Sequence, residues 1–144
     1  MPIKMFTGEF DFLSNFYLCP VVVDGIKFQS TEHAFQTLKT ADPAWRKKIR
    51  NAKTAGLAKR LGRQCPAHTN WDYIKRDVMF NCVLNKFSQN DDLKAKLLET
   101  GEEHLEEGNT WGDTFWGTVN GKGENHLGII LMEVRKILRT QENK

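Results

Sequence analysis

Apolar and polar residues follow one another along this chain with two periods, and each change of period marks an element. Val21-Val22-Val23 and Ile26-Lys27-Phe28 are β-prone runs on either side of Asp24-Gly25, a dipeptide suited to a two-residue hairpin turn. From Thr31 the spacing becomes helical. Thr31, Ala34, Phe35, Leu38 and Asp42 share one side at 100° per residue, Ser30 is placed to cap, and no Gly or Pro intervenes before Pro43. A helix of about three turns is predicted there. Pro43 opens a second helical stretch that stops at Leu61-Gly62-Arg63, with Gly62 as a left-handed C-cap.

Trp71 to Phe87 is the longest predicted helix, capped by Asn70, with Ile74, Val78, Cys82, Val83 and Phe87 as its buried stripe. Asp91-Asp92 begin a shorter helix that uses Leu93, Leu97 and Leu98 and ends at Gly101. A final helix buries Leu127, Ile130, Leu131, Val134, Ile137 and Leu138. Short strands are expected within residues 6–28 and near residues 104–107 and 115–119. The pattern describes an α+β, helix-rich single domain over residues 1–144, with short strands and a central set of packed helices.

Composition changes this picture little. At 144 residues the chain is long enough to bury one core, and no apolar run approaches the length of a membrane span. Met1-Pro2-Ile3-Lys4 lacks the apolar region of a secretory signal. Cys19, Cys65 and Cys82 are odd in number, with no Cys-x-x-Cys pair. A cytoplasmic protein without disulfides is expected. The net charge of +3 is modest, yet residues 43–63 carry Arg46, Lys47, Lys48, Arg50, Lys53, Lys59, Arg60 and Arg63 with no acidic residue. That run reads equally as a solvated face or as a source of positive potential for a phosphorylated substrate.

Glu32, Gln36 and Lys39 lie together on a second side of the first predicted helix. Ion pairs on a helix surface are spaced three or four apart. Here the carboxylate and the ammonium are seven apart, roughly 10 Å along the axis, with an amide between them. This is the layout of a polar strip that faces something.

His33, His68, His104 and His126 form no zinc-binding spacing, and no Gly-x-Ser-x-Gly elbow is present. No metal and no cofactor are expected. The glycines at 117, 121, 123 and 128 run into the last helix, where free N–H groups could cradle a phosphate; no named phosphate loop is matched, and a plain long turn is the better reading. What remains is carboxylate chemistry among tryptophans. Breaking a sugar C1′–nitrogen bond passes through an oxocarbenium-like state, which wants an anion near C1′, a proton donor for the leaving base and a flat surface to hold it. Glu32 could supply the anion, Asp113 or Lys39 the proton, and Trp71, Trp111 or Trp116 the surface. Lys39 could alternatively attack C1′ of the opened sugar as an imine-forming amine. A nucleotide-binding module without turnover would use the same residue types, and a plain interaction domain would leave Glu32 and Lys39 solvated.

Ser14-Asn15-Phe16, Ser30-Thr31-Glu32-His33-Ala34-Phe35-Gln36 with Lys39, and Ala58-Lys59-Arg60-Leu61-Gly62-Arg63 form one ordered set with later residues. These are Trp71, Lys75, Met79, Lys86-Phe87, Trp111-Gly112-Asp113, Phe115-Trp116-Gly117, Asn125 and Leu127-Gly128. Together they resemble the NADAR (YbiA-like) superfamily over nearly the whole chain. The resemblance implies a compact helix-rich α+β fold and N-glycosidase activity. The implied substrate is a phosphorylated ribosylamino-pyrimidine intermediate of riboflavin biosynthesis, or ADP-ribose attached to guanine in nucleic acid; an ADP-ribose- or NAD-related binding module is a further alternative. Glu32, Lys39 and Asp113 are the implied catalytic residues. Ser14, Asn15, Phe16, Gln36, Arg63, Trp71, Trp111, Trp116 and Asn125 are the candidate substrate-binding ones. No membrane partner is implied.

Overall fold

The computed structural model describes residues 1–142. A 3-10 turn at Gly8–Leu13 comes first. It is followed by strands β1 (Leu18–Val23) and β2 (Ile26–Ser30) and helices α1 (Thr31–Leu38), α2 (Pro43–Arg50), α3 (Ala55–Gln64), α4 (Trp71–Gln89), α5 (Asp91–Glu99) and α6 (His126–Glu142). The helix-rich α+β expectation holds. The chain divides into two compact units, a central one over residues 15–89 and one that joins residues 1–14 to those from 90 on.

In the central unit β1 and β2 pair antiparallel, with Val23 opposite Ile26. Asp24 and Gly25 both take positive φ, 53° and 78°, as a turn matched to the strand twist requires. The outer side of β1 is occupied by Gln89 of α4. Its amide donates to the Val22 carbonyl at 2.8 Å and accepts from the Val22 N–H at 2.8 Å.

Helix α1 lies at the centre of this unit, against α2, α3, α4 and both strands. Every residue from Thr31 to Thr37 is buried, polar ones included. Ser30 caps it as expected: its hydroxyl accepts the His33 N–H at 3.1 Å and contacts His33 Nδ1 at 2.6 Å. His33 Nε2 donates to the Ala52 carbonyl at 2.9 Å. A carbonyl can only accept, so Nε2 carries the proton and in the neutral ring Nδ1 receives the Ser30 hydroxyl.

Several expectations are corrected. Helix α1 is one turn shorter than predicted because Asp42, placed on its core face, instead caps α2, accepting from the N–H groups of Ala44 and Trp45. The stretch from Pro43 is two helices. Thr54 caps the second by accepting from Leu57, and a core of Ile49, Ala52, Ala58 and Cys65 joins them. Gly62 lies inside α3 and not at its cap, since α3 continues to Gln64. In α4 the buried stripe is Trp71, Met79, Cys82, Val83, Lys86 and Phe87, while Ile74 and Val78 are only half-buried.

The other unit is built on α5 and α6. Gly101, at φ 66°, ends the α5 region as expected. Two arginines of α6 satisfy carbonyls there. Arg135 donates to Thr100 Oγ1 at 2.9 Å and to the Glu103 carbonyl at 2.8 Å, and Arg139 donates to the carbonyls of Leu98 and Gly101. Arg135 is buried as well, a position the apolar spacing of this helix does not mark, and burial lowers its pKa. Ile137, expected inside, is exposed. The strands expected near residues 104–107 and 115–119 are isolated bridges, Ile3 with Leu105, Gly108 with Thr118 and Val119 with Lys122. A chain that turns this often cannot sustain a ladder.

Candidate active site

The polar strip of α1 is not a solvated face. Glu32 is 6% exposed and Gln36 is 9% exposed, and Gln36 Nε2 donates to Glu32 Oε2 at 2.8 Å across one helical turn. A buried carboxylate has a large desolvation cost unless donors and favourable fields surround it. Glu32 lies in the first turn of α1, where the helix dipole favours an anion. Its backbone N–H donates to the Asn15 carbonyl at 3.0 Å, and Asn15 Nδ2 reaches Met79 Sδ at 3.4 Å. The residue pair Asn15 and Glu32, separated in sequence by the whole hairpin, is thus joined at the N-terminus of α1.

At the other end of the strip, Lys39 follows the last turn of α1. Its Nζ donates to the Gly62 carbonyl at 2.7 Å, and its own carbonyl accepts from the His68 N–H. Gly62 also faces Gln36: a β-carbon there would lie 1.9 Å from Gln36 Oε1. Glu32, Gln36 and Lys39 are therefore linked through one position of α3. Gln36 Oε1 is buried with no hydrogen-bond partner, as is Thr37 Oγ1.

The charges of this strip are felt by nearby thiols. Burial, then the negative charges of Glu32 and Asp24, push Cys82 up to about 12. Burial raises Cys65 as well, with the Lys39 ammonium pulling it back. All three cysteines are buried thiols.

Trp71, at the start of α4, packs on Phe35 with ring centroids 5.1 Å apart and is 9% exposed. Phe16 is exposed, with Lys59 Nζ 5.7 Å from its ring centre, and Arg63 is exposed on α3. Ser14 is half-buried and closes the 3-10 turn through its N–H to the Asp11 carbonyl. Lys86 is 1% exposed, with Nζ 5.7 Å from the Tyr17 ring centre and 5.0 Å from that of Phe87. No role is read for it from the sequence. The available signal is its spacing of three, four and seven from Val83, Cys82 and Met79, which puts a cation on a buried stripe.

The remaining candidates belong, like Ser14, to the other unit. Asp113 Oδ1 accepts the N–H groups of Phe115 and Trp116 at 3.1 and 3.0 Å, and Oδ2 has no hydrogen-bond partner among the described residues. Asn109 bonds both the N–H and the carbonyl of Asp113, fixing the turn from outside. Trp111 is exposed, whereas Trp116 is half-buried and meets Phe115 edge-on at 4.8 Å. Asn125, at φ 54°, is buried and bonds the Glu107 N–H and the Leu105 carbonyl.

A phosphate cradle is not formed ahead of α6. The N–H groups of Glu124, Asn125, His126 and Leu127 donate to the carbonyls of Thr114, Gly117, Phe115 and Trp116. Donors engaged by carbonyls cannot receive a phosphate, and the glycines serve close packing instead: a β-carbon on Gly117 would lie 2.0 Å from the Glu107 carbonyl oxygen.

No helix among the described residues is long and apolar enough to cross a membrane. Residues 5–139 match the family model described as the NADAR domain. The chain is 39% identical over 138 residues to N-glycosidase YbiA of Shigella boydii, covering 94% of this chain and 84% of that one. It is 41% identical over 132 residues to a riboflavin biosynthesis protein of Vibrio vulnificus, covering 89% of this chain but 35% of that longer one. The solution structure of the Escherichia coli protein YbiA superposes with a TM-score of 0.88 at 35% identity, covering all of this chain and 87% of that one.

Proposed function

The chain belongs to the NADAR domain family, and on that premise we propose that it is an N-glycosidase, hydrolysing the bond between a ribose C1′ and a base or amine nitrogen. The observation that supports this best is the Glu32–Gln36 pair: a carboxylate kept out of water and held in one orientation by an amide. As the bond to nitrogen lengthens, C1′ gains positive charge, and a preoriented anion stabilises that state more than the ground state. Gln36 fixes the carboxylate and Lys39 supplies a positive group for a substrate oxygen or the departing nitrogen. Water adds to C1′, its proton is lost, and the leaving nitrogen takes up a proton.

The substrate we propose is a phosphorylated ribosylamino-pyrimidine of riboflavin biosynthesis, by kinship with the named relative. Incubation with this compound and detection of the released pyrimidine tests the reading, with Glu32→Gln as the control that abolishes release while keeping the fold. Release of guanine from ADP-ribosylated nucleic acid instead would replace the substrate. Stoichiometric binding of both compounds with no product would replace the enzyme by a sensor.

A further inference from the structure

Helix α2 carries charge that the proposed reaction does not use. A cleft of about 410 Å³ is lined by Ile26 of β2, Thr37 of α1, and Pro43, Arg46, Lys47 and Arg50 of α2. Thr37 stands five residues after Glu32, about 140° around α1, so the cleft opens on a different side of that helix. Three cations line it and no carboxylate does. None of the three forms an ion pair among the described residues.

The two arginines are oriented. Arg46 Nε donates to the Thr40 carbonyl at 2.7 Å and Arg50 Nε to the Lys27 carbonyl at 3.1 Å. Each guanidinium is thereby anchored by one edge, and its two Nη groups are left as a preset fork, the geometry that receives a phosphate through paired hydrogen bonds. Thr37 adds an independent observation. It is 2% exposed, it lines the cleft, and its hydroxyl has no hydrogen-bond partner. A buried hydroxyl without a partner is destabilising unless something completes it.

Arg50 and Asn51 also line a second cleft of about 630 Å³ with Lys27, Gln29, Leu18 and Pro20, again with no carboxylate. The two clefts share Arg50 and Asn51 as lining residues. One side is cationic, and the neighbouring side offers apolar surface and amide groups.

We infer that the cleft formed by Thr37, Arg46, Lys47 and Arg50 is a phosphate-binding site separate from the Glu32 face, and that it takes a nucleotide whose sugar and base extend over Leu18 and Pro20. The phosphate can belong to a free nucleotide or to a nucleic-acid strand. This assignment stands on the α2 side of the unit alone and does not depend on the proposed reaction.

The test is an NMR titration of the whole chain with inorganic phosphate, adenosine 5′-monophosphate, adenosine and a short single-stranded oligonucleotide. Saturable shifts at Thr37 and at the Arg46 and Arg50 Nε–H groups are expected with phosphate and the monophosphate, and none with adenosine. Arg46→Gln and Thr37→Val should each weaken monophosphate binding, Arg46→Gln by about tenfold as expected for one charge-assisted contact. Lys48→Gln, on the same helix but outside the cleft and beside the Trp45 ring, should leave it unchanged. An oligonucleotide that binds more tightly than the monophosphate, with affinity falling steeply in salt, would identify the strand as the source; equal or weaker binding would identify the free nucleotide. The inference is overturned by the absence of saturable shifts at millimolar phosphate, or by equal weakening in Arg46→Gln and Lys48→Gln, which would mark a diffuse charge effect.

Discussion

The side-chain amide of Gln36 occupies the space that a β-carbon on Gly62 would need. Glycine at this position of α3 therefore has nothing to do with helix termination. It lets α3 approach α1 until the amide that holds Glu32 lies against its backbone. Gly62→Ala should displace Gln36, lower stability by about 1–3 kcal/mol and reduce kcat with a smaller change in KM. Gln36→Met fills the same volume without the hydrogen bond, so it should keep most of the stability and lose about tenfold or more in kcat. Urea denaturation and steady-state kinetics on both variants separate packing from orientation.

Lys39 is expected to act as a hydrogen-bond donor and not as a nucleophile. Its Nζ donates to the Gly62 carbonyl at 2.7 Å, which holds it against α3 as a fixed hydrogen-bond donor. Borohydride added during turnover should leave no sugar adduct on Lys39. Lys39→Arg should retain more activity than Lys39→Met. A trapped adduct identified by peptide mass would establish the imine route instead.

For Asp113, two roles can be separated. Oδ1 holds the N–H groups of Phe115 and Trp116, a task an amide oxygen performs equally well. Asp113→Asn should melt within a few degrees of the parent, whereas Asp113→Ala should lose about 1–2 kcal/mol. If the carboxylate charge is needed for turnover, Asp113→Asn will be folded and inactive; full activity would reduce Asp113 to a builder of the turn.

Ser30 serves both the helix and the histidine. Removing its hydroxyl deletes an N-cap and leaves His33 Nδ1 unpaired in a buried site. Ser30→Ala should therefore cost about 2 kcal/mol, read as a shift in the urea midpoint with an unchanged slope.

Cys82 gives a pH dependence with a definite sign. Its thiol is held at about 12 in the folded chain against an ordinary 9.0, so the unfolded chain releases the proton first. The stabilising preference is complete below the unfolded value and is lost as pH climbs from there toward the folded one. Stability of the parent should fall between those two values more steeply than that of Cys82→Ala, even though the variant starts lower by about 1 kcal/mol. Parallel slopes in urea titrations across that range would remove Cys82 as the cause.

How much was legible in the sequence follows from which forces act locally. The Ser30 cap, the Asp24-Gly25 turn and the Gly101 stop depend on a few adjacent residues, and each is where the pattern puts it. The Asp42 cap was missed because a residue before proline reads equally as the end of one helix or the start of the next. The burial of Arg135 and Lys86 was missed because their partners lie far along the chain, at Thr100 and Glu103 for the one and at Tyr17 for the other. Isolated bridges at Leu105 and Thr118 look like strands from residue type alone, since β-propensity reports fit to a half-buried surface and not the presence of a partner. In the candidate site, the spacing of Glu32, Gln36 and Lys39 marked the strip, but the role of Gly62 required knowing that α3 crosses α1.

Gln89 matters beyond the hairpin it touches. By offering one donor and one acceptor to Val22, its amide takes the place of a neighbouring strand where Leu18 and Val22 stand exposed. An open edge of that kind invites another chain to add itself and begin an aggregate. Here the template is already in use by the chain's own longest helix, so α4 serves as a guard against self-association.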